Sequence, residues 1–98
     1  MRVITRKRLH VFAKQHKNSE NALSDWFHIM DKTEFKSFNE LRKTFPSVDR
    51  VKNLIIFNIG GNKVRLITAI HFNKGMVYIR NVLTHAAYDK ETWKKDLK

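Results

Sequence analysis

Cysteine is absent from this sequence, proline occurs once and glycine three times. The missing thiols exclude disulfides, thiolate zinc sites and cysteine nucleophiles. No apolar run approaches the roughly 20 residues a bilayer-spanning helix needs, so no membrane role is expected. The stretch from Met1 to Lys17 lacks the apolar segment of a secretory signal, and the expectation is a cytoplasmic protein. Internal repeats, low-complexity stretches and linkers are also missing, which leaves the 98 residues as one domain, 1–98.

Acids are scarce as well, with 9 Asp and Glu against 20 Lys and Arg and a net charge of +11. Residues 1–18 hold Arg2, Arg6, Lys7, Arg8, Lys14 and Lys17 and no acid. Residues 50–88 hold Arg50, Lys52, Lys63, Arg65, Lys74 and Arg80 and again no acid. Two such segments predict a basic face. A polyanion is its simplest partner, because each phosphate contacted releases condensed counterions. Plain solubility is the other use of such charge.

The apolar pattern predicts a short strand at Met1–Ile4, then a helix capped by Thr5 and running to about Gln15 on a Leu9, Phe12, Ala13 stripe. Asn18 or Ser19 is expected to cap a second helix to about Lys32, with Ala22, Leu23, Trp26, Phe27 and Met30 inward. Ser37-Phe38-Asn39-Glu40 matches a capping box, and the short helix it opens should end before Pro46. After Asp49 the character changes to strands at Leu54–Ile59, Val64–His71 and Met76–Leu83. They are joined by turns at Gly60-Gly61-Asn62 and Asn73-Lys74-Gly75. A C-terminal helix bearing Trp93 completes the order β-α-α-α-β-β-β-α. The expected fold is α+β: a small antiparallel sheet, made of the short first strand plus a three-strand meander, with the helices on one face and the other face open. Strict alternation puts Lys63, Arg65, Tyr78 and Arg80 on one shared polar surface, with Asn81 and Leu83 on the opposite side of the last strand. Two arginines, a lysine and a tyrosine suit phosphate binding and base stacking.

Three blocks then stand out: Phe57-Asn58-Ile59-Gly60-Gly61-Asn62-Lys63-Val64-Arg65-Leu66-Ile67, Val77-Tyr78-Ile79-Arg80 and Thr84-His85-Ala86-Ala87-Tyr88-Asp89. With the opening Met1-Arg2-Val3-Ile4 and the segment Lys36 to Arg50 containing Phe45-Pro46-Ser47-Val48-Asp49, they closely resemble the HigB family of bacterial type II toxins, within the RelE-like superfamily. The resemblance spans nearly the whole chain. It implies a compact RelE-like fold and an mRNA endoribonuclease that usually acts on ribosome-bound message. It also implies a HigA-like antitoxin with a helix-turn-helix domain as the neutralising partner, alongside mRNA and the ribosome. By this resemblance Arg65 matches the family's central-strand arginine and Tyr88 its tyrosine after the last strand. Lys63 and Lys52 stand loosely for a basic pair, and His85 occupies the place where many relatives carry arginine.

RNA is cut without water as nucleophile when the ribose 2′-OH attacks the adjacent phosphorus. That reaction needs in-line positioning, stabilisation of charge on phosphate, and proton transfer at both ends. The catalytic candidates are Arg65, His85 and Tyr88. Histidine donates or accepts a proton near neutrality, and neighbouring cations are expected to lower the pKa of Tyr88 so that it acts as a base, unless it only stacks a nucleobase. Lys63, Tyr78, Arg80 and Lys52 are the RNA-binding candidates. No His-x-x-x-His or Glu-x-x-His pair occurs, the acids fall mostly outside the strands, and no nucleophile elbow surrounds a serine. Metal, cofactor and paired-carboxylate chemistry are therefore not expected. A non-catalytic basic RNA- or ribosome-binding module remains the alternative, since it needs the cations but no proton-transfer pair.

Overall fold

The computed structural model describes residues 1–61, 63–91, 93 and 94. The chain enters through β1 (Arg2–Ile4) and passes through three helices, α1 (Lys7–Gln15), α2 (Glu20–Lys32) and α3 (Phe38–Thr44). It then lays down β2 (Asp49–Val51), β3 (Leu54–Ile59), β4 (Val64–His71) and β5 (Met76–Thr84), and turns into α4 (His85–Asp89). The expected turn residue Asn62 and part of the expected C-terminal helical segment, residues 92 and 95–98, lie outside the described residues.

The five strands form one sheet in the order β1-β5-β4-β3-β2. The α+β architecture is the one the sequence implies, with two differences. The edge strand β2 is too short to show alternation and pairs antiparallel with β3. The first strand joins the far edge parallel to β5, Val3 opposite Val77, a pairing that requires the intervening crossover.

The helices cover one face. Leu9 and Phe12 of α1, Leu23, Trp26 and Met30 of α2 and Leu41 of α3 meet Ile55, Phe57 and Ile59 of β3, Val64 and Leu66 of β4, and Val77 and Ile79 of β5. Trp26 and Phe57 meet edge to face with ring centroids 5.3 Å apart. Full burial of side chains of this kind contributes about 1.5–3 kcal/mol each.

Two expected caps act differently. Thr5 lies at φ 66°. Its hydroxyl donates to the Ile79 carbonyl at 2.9 Å and accepts from the Ile79 N–H at 3.1 Å, so it fastens the chain to β5 instead of capping α1. The Ser19 hydroxyl donates to the His16 carbonyl at 2.7 Å and makes no cap bond to α2. Ser37 does cap α3, accepting from the Glu40 N–H at 3.3 Å.

The register of β5 holds the main departure from strict alternation. Ile67 pairs with Asn81 while Thr68 pairs with Ile79, which leaves Arg80 as an extra residue in a β-bulge. Beyond the bulge the parity reverses. Leu83 pairs with Arg65, and Asn81 with Ile67, so both join Tyr78 on the face away from the helices, while Val82 packs against the helix-side core.

Candidate active-site cleft

The second face is apolar at its centre and polar toward one side. Leu54, Ile56 and Ile67 are buried there beneath Trp93. Their cover comes from the chain after β5, because Thr84 caps α4 by accepting from the Ala87 N–H at 3.2 Å. That cap turns the backbone so that Tyr88 comes back over the sheet. Its ring stacks on Trp93 with centroids 5.0 Å apart, and the Trp93 indole N–H donates to the Tyr88 carbonyl at 3.0 Å.

Beside this lid lies a cleft of about 370 Å³, lined among others by Arg42, Ser47, Asp49, Asn58, Arg65 and Tyr88. Arg65 and Asn58 face each other across β4 and β3. The guanidinium carbon of Arg65 lies 5.5 Å from the centroid of the Tyr88 ring. Its Nη1 is buried and makes no hydrogen bond among the described residues. A buried donor on a charged group without an acceptor costs more than a lost neutral hydrogen bond, and an anion entering the cleft would satisfy it. The Asn58 amide donates to the Ser47 carbonyl at 3.5 Å and ties the cleft floor to the loop before β2. Asp49 opens β2 after that loop, and its carboxylate accepts from the Arg50 N–H at 2.8 Å.

Burial pushes the Tyr88 phenol above its ordinary pKa, and the Asp49 carboxylate pushes in the same direction; Arg65 and Lys94 offset this only in part. The expectation that nearby cations lower this pKa is therefore reversed. Desolvation of a half-covered ring and one carboxylate outweigh the guanidinium. Tyr88 is a neutral phenol at physiological pH, suited to give a proton and not to take one.

The other sequence-derived candidates spread out. His85 opens α4, its backbone N–H donating to the Lys63 carbonyl at 3.2 Å. Its imidazole is exposed and turned to Asp89 at 3.4 Å, and does not line the cleft. Lys63 is exposed in the turn immediately before β4. Tyr78 belongs to the other end of the face, opposite Ala69, with its hydroxyl on the Met76 sulfur at 3.3 Å and its ring against His71. Arg80 sits in the bulge. Lys52 occupies the β2–β3 turn at φ 54°. The structure thus joins Arg65 with Tyr88 and leaves the other five out of the cleft lining. Sequence reasoning missed Arg42 and Asp49. Both lie in or next to the Lys36 to Arg50 block, whose resemblance signal was the available pointer. Among the described residues no group of three His, Asp or Glu side chains could hold a metal ion.

Residues 19–91 match the family model for the HigB toxin, described as the RelE-like toxic component of a toxin-antitoxin system. The mRNA interferase toxin HigB of Escherichia coli is 35% identical over 92 residues, covering 91% of this chain and 88% of that protein. The mRNA interferase HigB of Shigella flexneri gives the same figures. A further mRNA interferase HigB, from a second Escherichia coli strain, is 28% identical over 95 residues, covering 94% and 92%. The chain belongs to the HigB family of RelE-like toxins of toxin-antitoxin systems.

Proposed function

We propose that this chain is the toxin of a toxin-antitoxin pair and cleaves mRNA as a metal-independent endoribonuclease, acting in the cytoplasm on message held by the ribosome. The observation that carries the proposal is the Arg65 guanidinium, buried at Nη1 without an acceptor and placed under Tyr88 in an open cleft. The names of the relatives, which are mRNA interferases, support the substrate class.

In this reading the scissile phosphate takes the empty acceptor position at Arg65. The ribose 2′-OH attacks phosphorus, the bond to the 5′-oxygen breaks, and the products are a 2′,3′-cyclic phosphate and a 5′-hydroxyl. Arg65 offsets the charge that grows on the phosphoryl oxygens, and Arg42 at the cleft wall adds to the field. Tyr88, kept protonated by burial, donates to the departing 5′-oxygen. Asp49 is the carboxylate in the cleft able to accept the 2′-OH proton. Cations, a phenol that gives a proton and a carboxylate that takes one cover the requirements of charge and of proton transfer at both ends, so no metal is invoked. Lys63, Lys52, Arg80 and Tyr78 lie outside the cleft and act on the flanking strand, and His85, also outside the cleft lining, assists from α4. The ribosome supplies the in-line orientation of a flexible message, a large part of the barrier in such reactions. The neutralising partner is a HigA-like helix-turn-helix antitoxin.

The test compares purified protein on naked RNA and on programmed ribosomes. Cutting confined to ribosome-bound message is expected. Equally efficient cutting of both would remove ribosome dependence, and binding without cutting of either would replace the enzyme by a basic RNA-binding module.

A further inference from the structure

The edge of the sheet beyond β1 is incomplete. β1 pairs only with Met76, Val77 and Tyr78, yet β5 continues to Thr84. Past Tyr78 the outer edge is met first by the Thr5 hydroxyl at Ile79 and then by the Arg8 guanidinium, which donates to the Arg80 carbonyl. Among the described residues no strand pairs there. Between this edge and α1 runs a groove of about 560 Å³, whose lining includes Lys7, Arg8, Val11, Phe12, Val82 and Leu83. Val11 is 49% exposed and is one of two large exposed hydrophobic residues among those described.

We propose that this groove is a docking site for an extended segment of the antitoxin, which adds a strand to β5 and seats apolar side chains against Val11. A row of free backbone N–H and C=O groups is complemented by another peptide backbone, and the apolar lining adds pockets for alternate side chains. The stretch beyond the Arg8 contact, Asn81 to Thr84, accommodates about four residues at about 3.3 Å each. Lys7 and Arg8 flank it in a segment, residues 1–18, that carries no acid. The segment is therefore acidic between its apolar positions. A second copy of this chain is disfavoured on the same ground, since edge-to-edge pairing would bring Lys7 and Arg8 of two molecules with net charge +11 together. The inference rests on the toxin-antitoxin reading. The groove is separate from the Arg65 cleft, which lies on the side of the sheet nearer β2.

The experiment uses the purified chain and a HigA-like antitoxin that neutralises it, in two measurements that do not involve RNA. Amide hydrogen exchange is followed in the free and the bound toxin, and antitoxin affinity is measured for the wild type and for Val11→Glu. The expected results are exchange slowed at least about tenfold at Asn81–Thr84 on binding, and affinity weakened at least about tenfold in Val11→Glu, each tenfold being about 1.4 kcal/mol. An unchanged thermal midpoint shows that Val11→Glu is folded; if it is not, Arg8→Glu takes its place. Tight binding with no protection at Asn81–Thr84 would overturn the proposal. So would protection confined to the Arg65 cleft, or self-association of the free toxin that protects this edge. Failure of the enzyme reading would appear as absent RNA cutting with these binding results intact.

Discussion

On the helix-covered face of the sheet Phe57, Leu66 and Val77 are sealed between β-strands and three helices. On the opposite face a short strip of Leu54, Ile56 and Ile67 under Trp93 gives way to Arg65, Asn58 and Asp49 around open space. The same strands thus serve two ends. One face is filled by shape and supplies the stability; the other is half covered and keeps the buried Arg65 Nη1 without an acceptor among the described residues, a cost that the first face sustains. Substitutions on the two faces should accordingly separate loss of folding from loss of activity.

The largest expected effect is on the filled face. Phe57 is 1% exposed and meets both Trp26 and Phe45. Phe57→Ala should cost about 3–5 kcal/mol through lost burial and a residual cavity, enough to threaten a domain of this size. Denaturant titration measures it, and a cost below about 1 kcal/mol would erase the contrast between the faces. Trp93→Ala comes next and should act locally. It removes the stack and the indole hydrogen bond that hold Tyr88. Cleavage should fall by about tenfold or more while the amides of β3 and β4 keep their exchange protection, and Trp93→Phe should restore part of the activity.

A subtler effect concerns the Tyr88 proton. As a donor, Tyr88 must be neutral, so the rate it supports persists below its raised pKa and is lost as pH rises through it. Tyr88→Phe should keep the stack, lower cleavage and remove that alkaline limb from the pH–rate profile. His85→Gln should leave the alkaline limb in place. The smallest expected change is spectroscopic. Asp49 raises the Tyr88 pKa, so Asp49→Asn in a Tyr78→Phe background should move the phenolate absorbance titration to lower pH. A titration unmoved or shifted upward would show that Asp49 does not act on Tyr88.

Much of the helix-covered face was legible. The stripes through Phe12, Leu23, Trp26 and Met30 and the β-rich runs after Leu54 gave the helices, the meander and their contact, because long periodic segments follow burial directly. The Arg65 face was only partly legible. Alternation carried Arg65 and Tyr78 to one side correctly, but a one-residue bulge at Arg80 reversed the parity beyond it, and nothing in the local sequence marks a bulge without glycine. Asp49 escaped because a three-residue edge strand has no readable period. The ionisation of Tyr88 depends on how far α4 folds back beneath Trp93, a tertiary outcome that charge counting along the chain points the wrong way.

The central claim is that Arg65 holds the charge of the reacting phosphate. Its most direct test is the cleavage rate of a defined message on programmed ribosomes for the wild type and Arg65→Ala, each shown to be folded by circular dichroism. The wild type should leave 5′-hydroxyl ends, and the variant should cut about 10²–10³ more slowly, the usual loss for an anion-stabilising donor. A folded Arg65→Ala protein that cuts at the wild-type rate would contradict it.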